Sequence, residues 1–312
     1  MDFNIAAVRL EGGIGDHILG MRILPFVREK YPDLPIVVFS DAAGGVAQQE
    51  LVRLSPLVAE VIPVHQAEDS VTLETMGRFD RLLPADRDRM KAARIFFDAW
   101  GAGFFISASQ LLGVDFYRIL AGRTELRIPE EAREEAERLA PSGDGRIYAG
   151  LSLSKYGIEH LRTSAAPIEK FLAQLLQDPR VTILNFYATQ FSFAHWPDEH
   201  RLARERLLRD ESKFLRELSA RNERIVAMRD VPIPVLTALL ARCAYFIGVD
   251  NGIKHIAWAL NVPLTYFMPE PPQGNFILRW LPDYHRMLQF SCSQEALAAH
   301  INCAVNQLSA RA

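Results

Sequence analysis

The sequence predicts an α/β protein made of two doubly wound, Rossmann-like domains with parallel sheets. Three observations carry that expectation. Short β-rich runs alternate with helical segments through the first hundred residues. The same alternation restarts after the linker Pro141-Ser142-Gly143-Asp144-Gly145. Two strand–glycine turn–helix units stand near the two ends of the chain. At 312 residues, 49% hydrophobic and 23% charged, the chain has the size of two domains and the composition of a soluble globular protein. The linker places the boundary, giving residues 1–143 and 144–312, with the terminal helix expected to pack back on the first domain.

Each element follows from local pattern. The apolar run Ile5-Ala6-Ala7-Val8-Arg9-Leu10 feeds the turn Glu11-Gly12-Gly13-Ile14-Gly15-Asp16-His17, and apolar residues at helical spacing predict one helix over 18–31. Residues 34–41 and 58–64 read as strands and 46–55 as a short helix. Phe79-Asp80-Arg81-Leu82-Leu83-Pro84 is expected to be a further strand. The Arg/Asp-rich stretch 86–94 reads as a solvated helix, and the apolar stretch 100–112 as a helix or loop. A helix with acid in its first turn follows Pro129, as the helix dipole prefers. In the second half, strands are expected at 146–154, 181–187, 224–228, 244–249 and 264–268. Helices are expected at 167–176, 200–221, 234–242, 253–260 and 293–308.

Composition narrows the function classes. A formal net charge of −3 gives no global drive toward nucleic acid. Cys243, Cys292 and Cys303 form no metal-spaced pair, so reduced thiols in a cytoplasmic protein are expected, with no metal. The start of the chain lacks a basic segment followed by a long apolar core. The apolar stretch 235–249 is interrupted by Arg242 and too short to span a bilayer. Stretches 78–94 and 96–105 offer a peripheral face to a membrane-bound acceptor, although a solvated helix and a core segment are the plainer reading.

The two glycine turns carry the chemistry. Gly13-Ile14-Gly15 has the start of a dinucleotide fingerprint, and Asp41 ends the second strand where a ribose-binding acid belongs. Ile18 replaces the third glycine, however, and Asp16 falls where a pyrophosphate would sit, which like charge opposes. A carboxylate on such a turn suits proton abstraction from a hydroxyl, and partial burial is expected to raise its basicity. The plainer role for Asp16 is an N-cap. The second turn, Gly248-Val249-Asp250-Asn251-Gly252-Ile253-Lys254-His255, opens a helix with two potential cations. Dipole, exposed N–H groups and cation together suit a diphosphate. Taken singly, Lys254 reads as solvated and His255 as structural.

Gly12 to Asp16 with Tyr31-Pro32, paired with Phe246-Ile247-Gly248-Val249-Asp250-Asn251-Gly252-x-x-His255-Ile256-Ala257-x-Ala259-Leu260-x-Val262-Pro263, resembles the heptosyltransferase family of glycosyltransferases, family 9. The resemblance implies the GT-B fold, in which two Rossmann-like domains face each other across a cleft, and inverting, metal-independent transfer without a cofactor. It implies that Asp16 is the general base, with Gly13, Gly15 and His17 on the acceptor-side loop. It implies that Ser152, Ser154, Arg162, Asp250, Asn251, Gly252 and His255 hold the donor and its diphosphate, with Lys155 competing with Arg162; Lys254 is added to this set by its charge and its place at the helix start. The donor implied is a nucleotide sugar, an ADP-sugar by resemblance. The acceptor class is open among a glycan, a lipid-linked glycan, a protein and a small molecule. Asn251 and Ile253-Lys254 depart from the family pattern, as do Asn185-Phe186-Tyr187-Ala188 and Met268-Pro269-Glu270-Pro271-Pro272. These departures cluster around the donor. A sugar-nucleotide epimerase or hydrolase of the same fold, and a non-catalytic glycan- or nucleotide-binding protein, are the rival readings.

Overall fold

The computed structural model describes residues 3–41, 46–65, 79, 82–99, 103–154, 165–189, 198–268, 287–289 and 291–310. The chain divides into two compact units. Unit 1 comprises Met1–Arg127 with Ser192–Leu202 and Trp280–Pro282; unit 2 comprises Ile128–Phe191, Ala203–Arg279 and Asp283–Ala312.

In unit 1, β1 (Phe3–Leu10) leads into α1 (Ile14–Met21) and α2 (Leu24–Lys30). Then follow β2 (Ile36–Asp41), α3 (Val46–Arg53), β3 (Val58–Val64), α4 (Pro84–Lys91), β4 (Ala93–Ala99), α5 (Gly103–Leu112) and α6 (Phe116–Ala121). The strands form a parallel sheet ordered β3-β2-β1-β4. Both faces of β1 are covered. Ala6, Val8 and Leu10 pack with α1, α2, α5 and α6 through Met21, Leu24, Val27, Phe105 and Ile119. Ala7 lies on the other face with Val37, Phe39, Val64 and Met90. Double burial explains why β1 reads as a largely apolar run rather than an alternating one.

Unit 2 begins with α7 (Glu130–Leu139) and continues through β5 (Ile147–Ser152), α8 (Ala165–Leu175), β6 (Val181–Tyr187) and α9 (Asp198–Ala220). After these come β7 (Ile225–Arg229), α10 (Ile233–Arg242), β8 (Tyr245–Val249), α11 (Gly252–Ala259), β9 (Leu264–Met268), β10 (Met287–Gln289) and α12 (Gln294–Ser309). Its parallel sheet runs β10-β9-β8-β5-β6-β7. Every residue of β5, β6, β8 and β9 is buried.

Several expectations change. The single helix over 18–31 is two helices. α1 starts earlier, at Ile14, and Pro25 sits in the first turn of α2, where its missing N–H costs nothing. The fourth strand, β4, pairs with β1; it begins inside the helix expected over 86–94 and continues into residues for which no strand was expected. Of the strand expected at 79–84, Phe79 and Leu82 instead pack against the core. The division falls before α7, not at the Pro141–Gly145 linker (141–145), because α7 is fastened within unit 2 by Glu137 to Arg242, 2.6 Å apart. The terminal helix α12 buries Leu297, Ile301, Ala304 and Leu308 in the core of unit 2.

Candidate active site

In an open parallel sheet, ligands bind beyond the carboxyl ends of the strands where the strand order reverses. In unit 1 that point lies between β1 and β4, and the Glu11–Gly13 turn (residues 11–13) leaves β1 there. Gly12 has φ of 86°, and a Cβ built on it would lie 2.6 Å from an Asp16 carboxylate oxygen. Only glycine meets both demands without strain. Asp16 is the third residue of α1, and its Oδ2 accepts the Gly13 N–H at 2.8 Å. The carboxylate thus serves the helix start as the acid of a capping box, not as the N-cap itself. Asp16 is exposed, so the burial expected to raise its basicity is absent. Gly13 and Gly15 are half-buried beside it.

His17 points the other way. It is fully buried; its Nδ1 lies 3.1 Å from the Gly13 carbonyl and its Nε2 3.0 Å from Ser40 Oγ on β2. A carbonyl only accepts, so the proton is on Nδ1 and Nε2 accepts from the serine hydroxyl. Desolvation lowers the His17 pKa to about 4, against the smaller effect of that carbonyl contact. His17 is therefore a neutral fastener between α1 and β2, which corrects its expected place on an acceptor-facing loop.

Sequence reasoning missed the cluster next to this turn. Arg9, 1% exposed, donates from Nη1 to Asp98 Oδ1 at 2.8 Å and from Nη2 to the Glu11 carboxylate. Arg9 and Asp98 are register partners on β1 and β4. The guanidinium therefore ties the two strands that flank the reversal to the first residue of the turn. The available signal was a charged pair, Arg9 and Glu11, two residues apart where a largely apolar run meets the glycine turn.

In unit 2 the order reverses between β5 and β8. Asn251 is the N-cap of α11: its Oδ1 accepts the Lys254 N–H at 3.0 Å. Its Nδ2 donates to Ser152 Oγ at 2.9 Å and to the Ser154 carbonyl at 3.3 Å. One amide thereby joins the carboxyl ends of β5 and β8. Gly248 makes that approach possible, since a Cβ there would lie 2.8 Å from the Ser152 carbonyl oxygen. Ser152, Ser154, Asp250, Asn251, Gly252 and His255 thus stand together at the sheet reversal of unit 2.

Lys254 does not join them as a free cation. Its side chain has no exposed area; Nζ lies 3.0 Å from Asp250 Oδ1 and 4.3 Å from the centre of the Tyr266 ring. The His255 Nε2 lies 3.6 Å from the same Asp250 oxygen. The expected diphosphate contact from Lys254 is therefore replaced by an internal ion pair. A cation in the first turn of a helix opposes the dipole, and Asp250 offsets it. Arg162 and Lys155 lie outside the described residues, as do Pro269 to Pro272. Among the described residues, no three His, Cys, Asp or Glu side chains gather to hold a metal ion, and no helix is long and apolar enough to cross a membrane.

Two parallel doubly wound sheets, one in each unit, with a carboxylate-bearing turn in the first and an Asn-capped helix start in the second, are the architecture of the GT-B fold. Residues 219–273, which run from the end of α9 through β9, match the model for glycosyltransferase family 9 (heptosyltransferase). The resemblance read in the sequence is thus borne out by an independent match over the second turn. Solved structures agree over nearly the whole chain. A glycosyl transferase family 9 protein from Veillonella parvula superposes with a TM-score of 0.63 at 15% identity, covering 100% of this chain and 98% of its own. The E. coli ADP-heptose lps heptosyltransferase II gives 0.57 at 16%, covering 98% of both. The E. coli heptosyltransferase WaaC with ADP-2-deoxy-2-fluoro heptose gives 0.53 at 13%, covering 98% and 99%. At these identities the structures establish the fold. No curated protein matches the chain significantly.

Proposed function

We propose that this glycosyltransferase is an inverting, metal-independent enzyme that moves a sugar from a nucleotide diphosphate donor to an acceptor hydroxyl, with Asp16 as general base. The observation that carries this reading is the exposed Asp16 carboxylate, fixed by the Gly13 N–H at the reversal of the first sheet. A carboxylate positioned in this way accepts the acceptor's proton as its oxygen attacks the anomeric carbon. The bond from that carbon to the diphosphate breaks, and the nucleoside diphosphate leaves with the added charge. The first N–H groups of α11, with Asn251, Gly252, His255, Ser152 and Ser154, receive that charge at a preformed helix start. Arg162, by its place in the sequence, adds a basic side chain to this set. Lys254 acts indirectly, by fixing Asp250.

The adenosine diphosphate named with the E. coli heptosyltransferase WaaC makes ADP-sugars, including ADP-heptose, the first donors to test. Asn251 and Lys254 set this donor loop apart, so the sugar is to be found by screening donors with mass-spectrometric product detection. Asp16→Asn is the test of the base. It should fold and bind donor normally while turnover falls by about a hundredfold or more. Undiminished turnover would remove Asp16 from the mechanism. Turnover of donor without any acceptor would favour an epimerase or hydrolase instead.

A further inference from the structure

Within unit 2, α9 and the carboxyl ends of β6 and β7 border an open groove of about 620 Å³. Its lining includes Arg209, Lys213 and Arg216 from one face of α9 and Arg229 from β7, with Glu205 and Asp210 as the carboxylates. That volume lies in the range of small-molecule sites and far exceeds a bare phosphate.

Arg209 and Lys213 are four residues apart and Lys213 and Arg216 three, so the three cations share one face of α9. Among the described residues, no carboxylate lies within ion-pairing distance of any of these three. Arg229 adds a fourth positive charge from a different element. Its nearest carboxylate, Asp230 at 3.7 Å, is already held by the Thr189 N–H and hydroxyl at 2.6 and 2.5 Å. Four cations against two carboxylates leave the lining with an excess of positive charge on concave walls, where its field is concentrated.

We infer that this groove binds a phosphorylated sugar. The guanidinium forks suit a phosphate dianion, which matches the excess charge of the lining. Asp210 supplies an acceptor for sugar hydroxyls, and the volume accommodates the sugar as well as its phosphate. The inference does not depend on the reaction proposed for the Asn251 loop.

Glucose 6-phosphate is the probe and glucose the control, titrated calorimetrically into the full chain. The native protein should bind the phosphate ester and not glucose. Combined Arg209→Gln, Lys213→Gln and Arg216→Gln should weaken binding tenfold or more, with circular dichroism unchanged because these side chains are exposed. Arg229→Gln, on a separate element, should weaken it severalfold and serves if the triple variant fails to fold. Binding should also fall as salt rises from about 0.05 to 0.5 M. Asn251→Ala, which addresses the other loop, should leave it unchanged. Absence of binding by the native protein would overturn the inference. So would unaltered affinity in the α9 and Arg229 variants, or loss of binding in Asn251→Ala alone.

Discussion

The Lys254 ammonium lies 3.0 Å from the Asp250 carboxylate, one helical turn away, with no exposed side-chain area of its own. A cation in the motif most suggestive of phosphate binding is thus spent inside the protein. Removing one partner of such a pair leaves a buried charge without its counterion, which costs about 3–5 kcal/mol. Lys254→Met should therefore lower stability by about that amount in chemical denaturation. The double variant Lys254→Met/Asp250→Asn should recover part of the loss, because no isolated charge then remains.

Gly12 supports a second expectation. Gly12→Ala places a side chain in the left-handed region and against the Asp16 carboxylate. A stability loss of about 1–2 kcal/mol is expected from the backbone alone. Turnover should fall further than stability does, since Asp16 must move. Comparing kcat at temperatures well below Tm separates the two effects.

His17 gives the fold a dependence on acidity. Its folded pKa of about 4 lies below the unfolded value of about 6.5. Between those values the unfolded chain holds a proton that the folded protein does not, so stability rises with pH across that interval. The contribution is complete above pH ~6.5, is lost as pH falls toward 4 and is constant below that; its span is on the order of 3 kcal/mol. Unfolding free energies measured from pH 4 to 7 should show the slope in the native protein. His17→Gln should flatten it.

Asn251 uses its two amide atoms for different purposes. Asn251→Asp retains an acceptor for the Lys254 N–H but loses the donor to Ser152 and Ser154. Asn251→Ala loses both and should cost about 1–2 kcal/mol. If the donor loop is built as proposed, both variants should raise donor KM, and Asn251→Asp should do so with the smaller stability loss.

Much of the architecture was readable because a doubly covered parallel sheet leaves a strong mark: apolar runs such as those of β1, β6 and β8, each followed by small residues and a helix. The site turns were readable for a related reason. Glycines and an N-cap residue are local requirements of a strand-to-helix turn. What escaped was decided by neighbours distant in sequence. β4 is a strand because it lies beside β1. Lys254 is buried because Asp250 and Tyr266 accept it, and nothing in Ile253-Lys254-His255 distinguishes that from a solvated cation. His17 turns inward because Ser40 waits on β2. The break after Met21 is the exception, since Pro25 marked it locally.

The hydrogen bond from Asn251 to Ser152 closes a loop of 99 residues, and that from Arg9 to Asp98 closes one of 89. Contacts so far apart form only after the intervening chain has been ordered, and they slow folding in proportion to their share of all contacts. Each sheet reversal is therefore a late event in the assembly of its own unit. A partly folded chain, even one with most of its helices in place, would lack both the Ser152–Asn251 clasp and the Arg9 cluster. Recovery of donor binding during refolding should thus trail the recovery of helical signal.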